Sequence, residues 1–188
     1  MKERICYVVG AGENFGLDFH PATGDFDSLK CVSEHPNTIV LSAEKDDTDT
    51  LAAVREGIRA GYTSFHIYCG TGGRIDHTMA NLQVLAYLSV NNMRGFLFDN
   101  GTVITAIANG SLCFGKIPCG YVSVFFCSEK VEGVTLCGLK YELNNAILTN
   151  TFPIGVSNEF IGRESSISVS CGTLFIVFPK EAKERIIQ

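Results

Sequence analysis

Thr102-Val103-Ile104-Thr105-Ala106-Ile107-Ala108-Asn109-Gly110-Ser111-Leu112-Cys113-Phe114 is where the chain changes character. Two strand-like runs, the first rich in β-branched residues, flank Asn-Gly, the strongest short hairpin signal a sequence carries. Beyond it, Tyr121 to Cys127, Gly133 to Cys137, Ala146 to Thr149, Ser165 to Cys171 and Thr173 to Phe178 read as further short strands. Cys171-Gly172 marks another tight turn, and the charged Lys180 to Arg185 stretch reads as a solvated tail. Without a helical pattern, residues 101–188 are expected to form an antiparallel β-sandwich.

Residues 1–100 alternate strand and helix signals, which predicts a Rossmann-like α/β domain with a mainly parallel sheet. Arg4 to Val9 reads as a buried strand that ends in the glycine turn Gly10-Ala11-Gly12-Glu13-Asn14. Thr38 to Leu41 is a second short strand. A helix follows, capped by Asp46, Asp47 or Thr48, with Leu51, Val54 and Ile58 inward and Gly61 at its end. Ser64 to Cys69 is the next strand, then a helix carrying Met79, Leu82, Leu85 and Leu88, and a strand from Arg94 to Asp99.

At 188 residues and a net charge of −5, the chain can bury a sizeable core but lacks the basic stripe of a nucleic-acid surface. No run of eighteen apolar residues predicts a membrane span, and Met1 to Val9 does not have the pattern of a signal peptide. The 8 cysteines contain no C-x-x-C pair, and most sit in apolar runs. They read as free thiols in a reducing cytoplasm.

Two acidic knots carry the first chemistry. In Gly24-Asp25-Phe26-Asp27-Ser28, carboxylates at i and i+2 of an extended segment point to one side. Lys45-Asp46-Asp47-Thr48-Asp49 supplies a second group. Brought together, each like-charged pair at about 4 Å costs on the order of 4 kcal/mol at an effective dielectric of about 20. A cation compensates that cost, and oxygen ligands alone favour Mg²⁺. Taken singly, each knot is equally well a polar turn or a helix start. No apolar run in Gly16 to Thr23 accounts for a strand presenting the first pair.

Gly70-Thr71-Gly72-Gly73-Arg74-Ile75-Asp76-His77 carries the second chemistry. A strand, a glycine turn and a helix N-terminus together make a phosphate cradle, and a guanidinium grips phosphate oxygens with two bonds. It is not a P-loop, which requires Gly-Lys-Ser/Thr. Asp76 and His77 are candidates to orient Arg74, cap the helix or meet a nucleotide; a surface histidine at a helix start is the plainer reading of His77.

Gly-Asp-Phe-Asp-Ser (24–28), Lys-Asp-Asp-Thr-Asp (45–49), Gly-Gly-Arg-Ile-Asp-His (72–77) and Ser-Asn-Glu (157–159), in this order, resemble the thiamine pyrophosphokinases. The resemblance runs from Gly24 nearly to the end. It implies transfer of a pyrophosphoryl group from ATP to the hydroxyethyl arm of thiamine, giving thiamine diphosphate and AMP. It implies a nucleotide- and Mg²⁺-binding half over 1–100, a thiamine-binding half over 101–188, and a homodimer with the active site between subunits.

By that resemblance Asp25, Asp27 and Asp49 hold Mg²⁺ on the ATP phosphates, while Gly73, Arg74, Asp76, His77 and Asn81 sit with the nucleotide. Asp27, Asp49 and Arg74 are the catalytic candidates; a metal-bound carboxylate is a poor base, so the proton acceptor stays open. Gly138-Leu139-Lys140-Tyr141-Glu142-Leu143 resembles the family segment whose aromatic residue stacks on thiamine, here Tyr141 in a chain without Trp. Ser157 and Asn158 would hydrogen-bond the thiamine pyrimidine.

Family members also carry a strand ending in Ala-Asp-Gly-Gly, then a helix and a strand, ahead of Gly-Asp-Phe-Asp. This chain lacks them. Because losing two strands would expose apolar faces, an omitted stretch near residues 21–23 is favoured over a true deletion. The rival readings are a thiamine- or nucleotide-binding sensor without catalysis, and another Asp-Mg-dependent nucleotide transferase. Neither accounts for Gly-Gly-Arg-Ile-Asp-His or Ser-Asn-Glu.

Overall fold

The computed structural model describes residues 4–9, 23–24, 39–40, 47–72 and 74–187. The chain divides into two compact units, Met1–Leu85 with Met93–Asp99, and Ala86–Asn92 with Asn100–Gln188.

In the first unit β1 (Ile5–Val9), β4 (Ser64–Tyr68) and β5 (Arg94–Asp99) are parallel neighbours, with Cys6 opposite Phe65 and Ile67 opposite Leu97. Alternation along the strands sends Cys6, Val8, Phe65, Ile67 and Leu97 into the core. Burial pushes the Cys6 thiol up to about 11, so it is an inert core residue. The opposite face carries a ladder of rings, Tyr7 against His66 and Tyr68 stacked on Phe98. Two further short strands, β2 (Thr23–Gly24) and β3 (Ile39–Val40), pair in parallel in a sheet of their own.

Helix α1 (Asp49–Arg59) begins at Thr48, whose hydroxyl accepts from the Leu51 amide at 3.3 Å. Of the three residues expected inward only Val54 is fully buried; Leu51 and Ile58 are half-buried, and the core face is Thr50, Ala53, Val54 and Gly57. That shift brings the helix close to the sheet, for a Cβ at Gly57 would stand 2.6 Å from the Phe65 ring. Helix α2 (Ile75–Val90) buries Asn81, Val84, Leu85 and Leu88, while Met79 is exposed.

In the second unit the strands are β6 (Thr102–Ala108), β7 (Ser111–Phe114), β8 (Tyr121–Phe126), β9 (Lys130–Cys137), β10 (Leu143–Thr149), β11 (Asn158–Glu159), β12 (Ser165–Ser168), β13 (Thr173–Pro179) and β14 (Ile186–Ile187). They run β6-β13-β8-β11 on one side and β10-β9-β12-β7-β14 on the other, all antiparallel. Phe114 of β7 meets Phe178 of β13 edge to face at 5.2 Å, so the two layers share one core.

Asn109-Gly110 does not close a hairpin. β6 pairs with β13 over seven residues and β7 pairs with β12, so the turn carries the chain from one layer to the other. Its left-handed residue is Asn109, at φ 47°. Gly172 makes the same change of layer between β12 and β13, and the two corners are tied by Asn109 N–H to the Gly172 carbonyl and Gly172 N–H to Asn109 Oδ1. The expected solvated tail is also structured. Lys180–Arg185 forms a 3-10 helix with Ala182 buried, and β14 pairs with β7.

The expectation of a Rossmann-like, mainly parallel α/β domain in the N-terminal half is overturned. Such a domain alternates helices and strands along its length and covers both faces of one parallel sheet. This chain is mostly strand, gathered in two principal sheets, with two α-helices among the described residues. The periodicity was real, but three parallel neighbours and a separate two-residue pair do not make a doubly wound sheet.

Candidate functional site

In the first unit, β4 ends at Tyr68 and the chain turns through Cys69, in the left-handed region at φ 56°, into Gly70. A Cβ at Gly70 would stand 2.6 Å from Leu97 and 2.9 Å from Asn81, so only glycine lets the loop pass. Asn81, expected to join the nucleotide, lies buried one and a half turns into α2 and donates from Nδ2 to the Gly70 carbonyl at 2.8 Å. It fixes the loop from below.

Arg74 directly precedes α2, and its carbonyl accepts from Thr78 N–H. Its guanidinium makes a forked pair with Asp76, Nε to Oδ1 at 3.1 Å and Nη2 to Oδ2 at 2.5 Å. Asp76 Oδ1 also accepts from the His77 backbone amide at 3.0 Å. The hydrogen bond from Arg74 holds the Asp76 carboxyl below the usual carboxylate range, and the same bond raises Arg74 above its ordinary value. Arg74, Asp76 and His77 are all exposed, so the fork is presented to solvent. Gly73 lies outside the described residues.

The acidic knots are seen in part. Asp25 and Asp27 lie outside the described residues, as do Pro21 and Ala22, where an omitted stretch was expected. Among the described residues no group of three or more His, Cys, Asp or Glu side chains gathers as a metal site. Yet β2 ends at Gly24, one residue before Asp25, so a short strand does lead into the acidic pair although no apolar run announced it. α1 packs against β2 and carries Asp49, half-buried, in its first turn. Thr48 does the capping, and Asp47 pairs with Arg55, so neither of these tasks falls to Asp49.

In the second unit, Tyr141 sits on the loop between β9 and β10 and is 61% exposed. Asn158 is 3% exposed, and its amide is engaged on both sides. Oδ1 accepts from Tyr141 N–H and Glu159 N–H, each at 2.9 Å, and Nδ2 donates to the Tyr141 carbonyl at 2.7 Å. Ser157 is exposed, holds a left-handed backbone at φ 59°, and donates its N–H to Ser123 Oγ at 2.9 Å. Gly138 starts the loop at φ 73°, where a Cβ would stand 2.0 Å from the Glu164 carbonyl oxygen. Glu142 accepts the Gly138 amide, closing the loop on itself.

The sequence reading left out Lys140 and Glu159. They pair at 2.5 Å, and the Lys140 ammonium stands 5.5 Å from the Tyr141 ring centroid. Their adjacency to Tyr141 and Asn158 was the available signal. Their opposite charges, nineteen residues apart, gave no local hint that they meet.

Residues 4–97 match the model of the thiamin pyrophosphokinase catalytic domain, and residues 115–174 that of the thiamin pyrophosphokinase vitamin B1 binding domain. A thiamine pyrophosphokinase of Bacillus subtilis (strain 168) is 31% identical over 163 residues, covering 83% of this chain and 76% of that protein. The chain belongs to the thiamin pyrophosphokinase family.

Solved structures agree. The crystal structure of thiamine pyrophosphokinase from Bacillus subtilis matches with a TM-score of 0.81 at 26% identity, covering 94% of this chain and 99% of that one. A thiamin pyrophosphokinase family protein from Enterococcus faecalis matches with a TM-score of 0.75 at 28% identity, covering 95% and 99%. The mostly-β architecture described above is therefore the family's own. The chain is an ATP-dependent pyrophosphotransferase that acts on thiamine, yielding thiamine diphosphate and AMP. No helix among the described residues is long and apolar enough to cross a membrane.

Proposed function

We propose that the thiamine pyrophosphokinase reaction is carried by Asp25, Asp27 and Asp49 around Mg²⁺, by Gly73, Arg74, Asp76, His77 and Asn81 around ATP, and by Tyr141, Ser157 and Asn158 around thiamine. In this reading residues 1–100 serve the nucleotide and 101–188 the vitamin. The observation that supports it most is the packing of α1, with Asp49 in its first turn, against the strand that ends one residue before Asp25.

The thiamine hydroxyl oxygen attacks the β-phosphorus of ATP. A new O–P bond forms as the hydroxyl proton is released to solvent, the bond from that phosphorus to the oxygen bridging the α-phosphate breaks, and AMP departs with the electron pair. Mg²⁺, when bound, neutralises the charge on the phosphate oxygens. Arg74 takes two phosphate oxygens on its fork, exchanging Asp76 for the substrate. Asn81 holds the Gly70 carbonyl still so that the loop amides keep their aim. Tyr141 offers a π-face to the thiazolium, a contact that contributes about 0.5–2 kcal/mol. Ser157 and the Nδ2 hydrogen of Asn158 that Tyr141 does not use bind the pyrimidine.

The resemblance further supports a homodimer with its active site between subunits. The free thiols among the described cysteines support a cytoplasmic setting. Asp49→Asn tests the metal assignment: incubated with Mg-ATP and thiamine, it should form no detectable AMP or thiamine diphosphate while melting as the parent does. Near-parental turnover would remove Asp49 from the metal site.

A further inference from the structure

Asn158 is drawn here to the backbone of one residue. Its side chain is buried, and two of its three hydrogen bonds go to the N–H and the C=O of Tyr141. A side-chain amide that pairs with both polar groups of a single peptide residue imitates a neighbouring β-strand. Lys140 N–H extends the same lacing to the Glu159 carbonyl at 3.0 Å, and Leu139 bridges Phe160. The 138–142 loop is thereby sewn to β11, and β11 is itself paired to β8 through Asn158 opposite Val122. Tyr141, like its neighbours Lys140 and Glu142, keeps its side chain out in solvent, but it is the residue whose backbone N–H and C=O are both held by the buried amide. The left-handed backbone of Ser157 just before the clamp is the kind of local strain that surrounding structure must hold in place.

We propose that Asn158 is the positioning residue of the thiamine site: its amide sets the Tyr141 backbone so that the phenol ring stands as a pre-ordered platform before the vitamin arrives. The inference rests on the reading that Tyr141 contacts thiamine, and the two are separable. Pre-ordering matters because a ring already held in place loses little entropy when a cationic heterocycle stacks on it.

The chain has 0 Trp, so Tyr141→Trp supplies a single indole at the platform, and Tyr121→Trp supplies one on the neighbouring strand as a control. Into each, Asn158→Asp is added, which keeps the Oδ1 acceptor and removes the Nδ2 donor, and in parallel Asn158→Ala. The platform indole should lose anisotropy and become more accessible to acrylamide in ligand-free protein, while the control indole stays unchanged. In the otherwise native chain, Asn158→Asp should raise KM for thiamine about three- to tenfold with kcat little changed, the scale of one lost hydrogen bond; because Nδ2 is also assigned to the pyrimidine, the ligand-free indole readout is the one that separates positioning from direct contact. An unmoved platform indole, equal loosening at both indoles, or loss of folding in both Asn158 variants would each overturn the proposal. If thiamine fails to quench the platform indole although Asn158→Asp loosens it, the clamp stands and the assignment of Tyr141 to thiamine falls.

Discussion

The two loops that carry the proposed chemistry are built in opposite ways around the same device, a buried asparagine. In the first unit Asn81 ties its loop through Nδ2 to the Gly70 carbonyl, and the charged fork of Arg74 and Asp76 lies beyond it in solvent. In the second, Asn158 takes both backbone groups of Tyr141, and Lys140, Glu142 and Glu159 add further ties. A phosphate grip must let a guanidinium trade one anionic partner for another, so it gains from an exposed and exchangeable pair. An aromatic platform has no partner to exchange and gains from fixity. Position is thus controlled at the backbone in both loops, while freedom is left only to the charged side chain.

The comparison breaks first at Arg74. Arg74→Ala should lower kcat/KM for ATP by about 10²–10³-fold, the scale of losing an electrostatic stabiliser of transferring phosphoryl groups. Arg74→Lys should recover only part of this, because an ammonium keeps the charge but not the fork. Steady-state kinetics at saturating thiamine measure it, and parental values in Arg74→Ala would place the phosphates elsewhere. Asn81→Ala is next. It leaves the Gly70 carbonyl without its partner, at a cost of about 1–3 kcal/mol in unfolding free energy. Urea denaturation reads this directly. A variant as stable as the parent would show that Asn81 does not secure the loop.

Much of this was legible in the residues, and the misreadings have physical causes. The glycines and Arg74 between a strand and a helix start announced the Gly70–Arg74 turn, because strand, turn and helix start each leave a local mark, whereas Asn81 gave no sign that it would be buried beneath it. Thr48 was among the expected caps and is the cap found. Asn109-Gly110 misled because its left-handed preference is local, whereas the partner of each flanking strand is chosen by long-range pairing. The same holds for Ile186–Ile187, which is too short to be read as a strand until β7 is there to receive it. A Rossmann-like half was inferred from alternation that a mostly-β chain also produces when its helices are few. Lys140 with Glu159 was invisible for the same reason as the sheets: contacts between distant residues leave no period in the sequence.

Tyr141→Ala sharpens the platform side. Loss of a cation–π face worth about 0.5–2 kcal/mol should raise KM for thiamine by roughly 2- to 30-fold while kcat falls less. Lys140 already stands over that ring, so its pairing with Glu159 matters: it partly neutralises a charge that would repel the thiazolium. An unchanged KM would take Tyr141 out of the site.

The smallest effect belongs to Asp76, and pH exposes it. Its carboxyl is held low in the folded state, first by the hydrogen bond from Arg74. A depressed carboxylate pKa contributes stability that is present above the unfolded value and lost as pH falls through the folded one. The melting difference between the parent and Asp76→Asn should therefore be small, constant through neutral pH, and vanish only on acidification below the ordinary aspartate range near pH 4. Both partners are exposed, so salt should shrink the difference as well. A difference that grows on acidification would mean that the folded state favours the protonated carboxyl, so that Arg74 does not hold Asp76 as an anion. The fork would then not be the exchangeable pair that separates the phosphate grip from the aromatic platform.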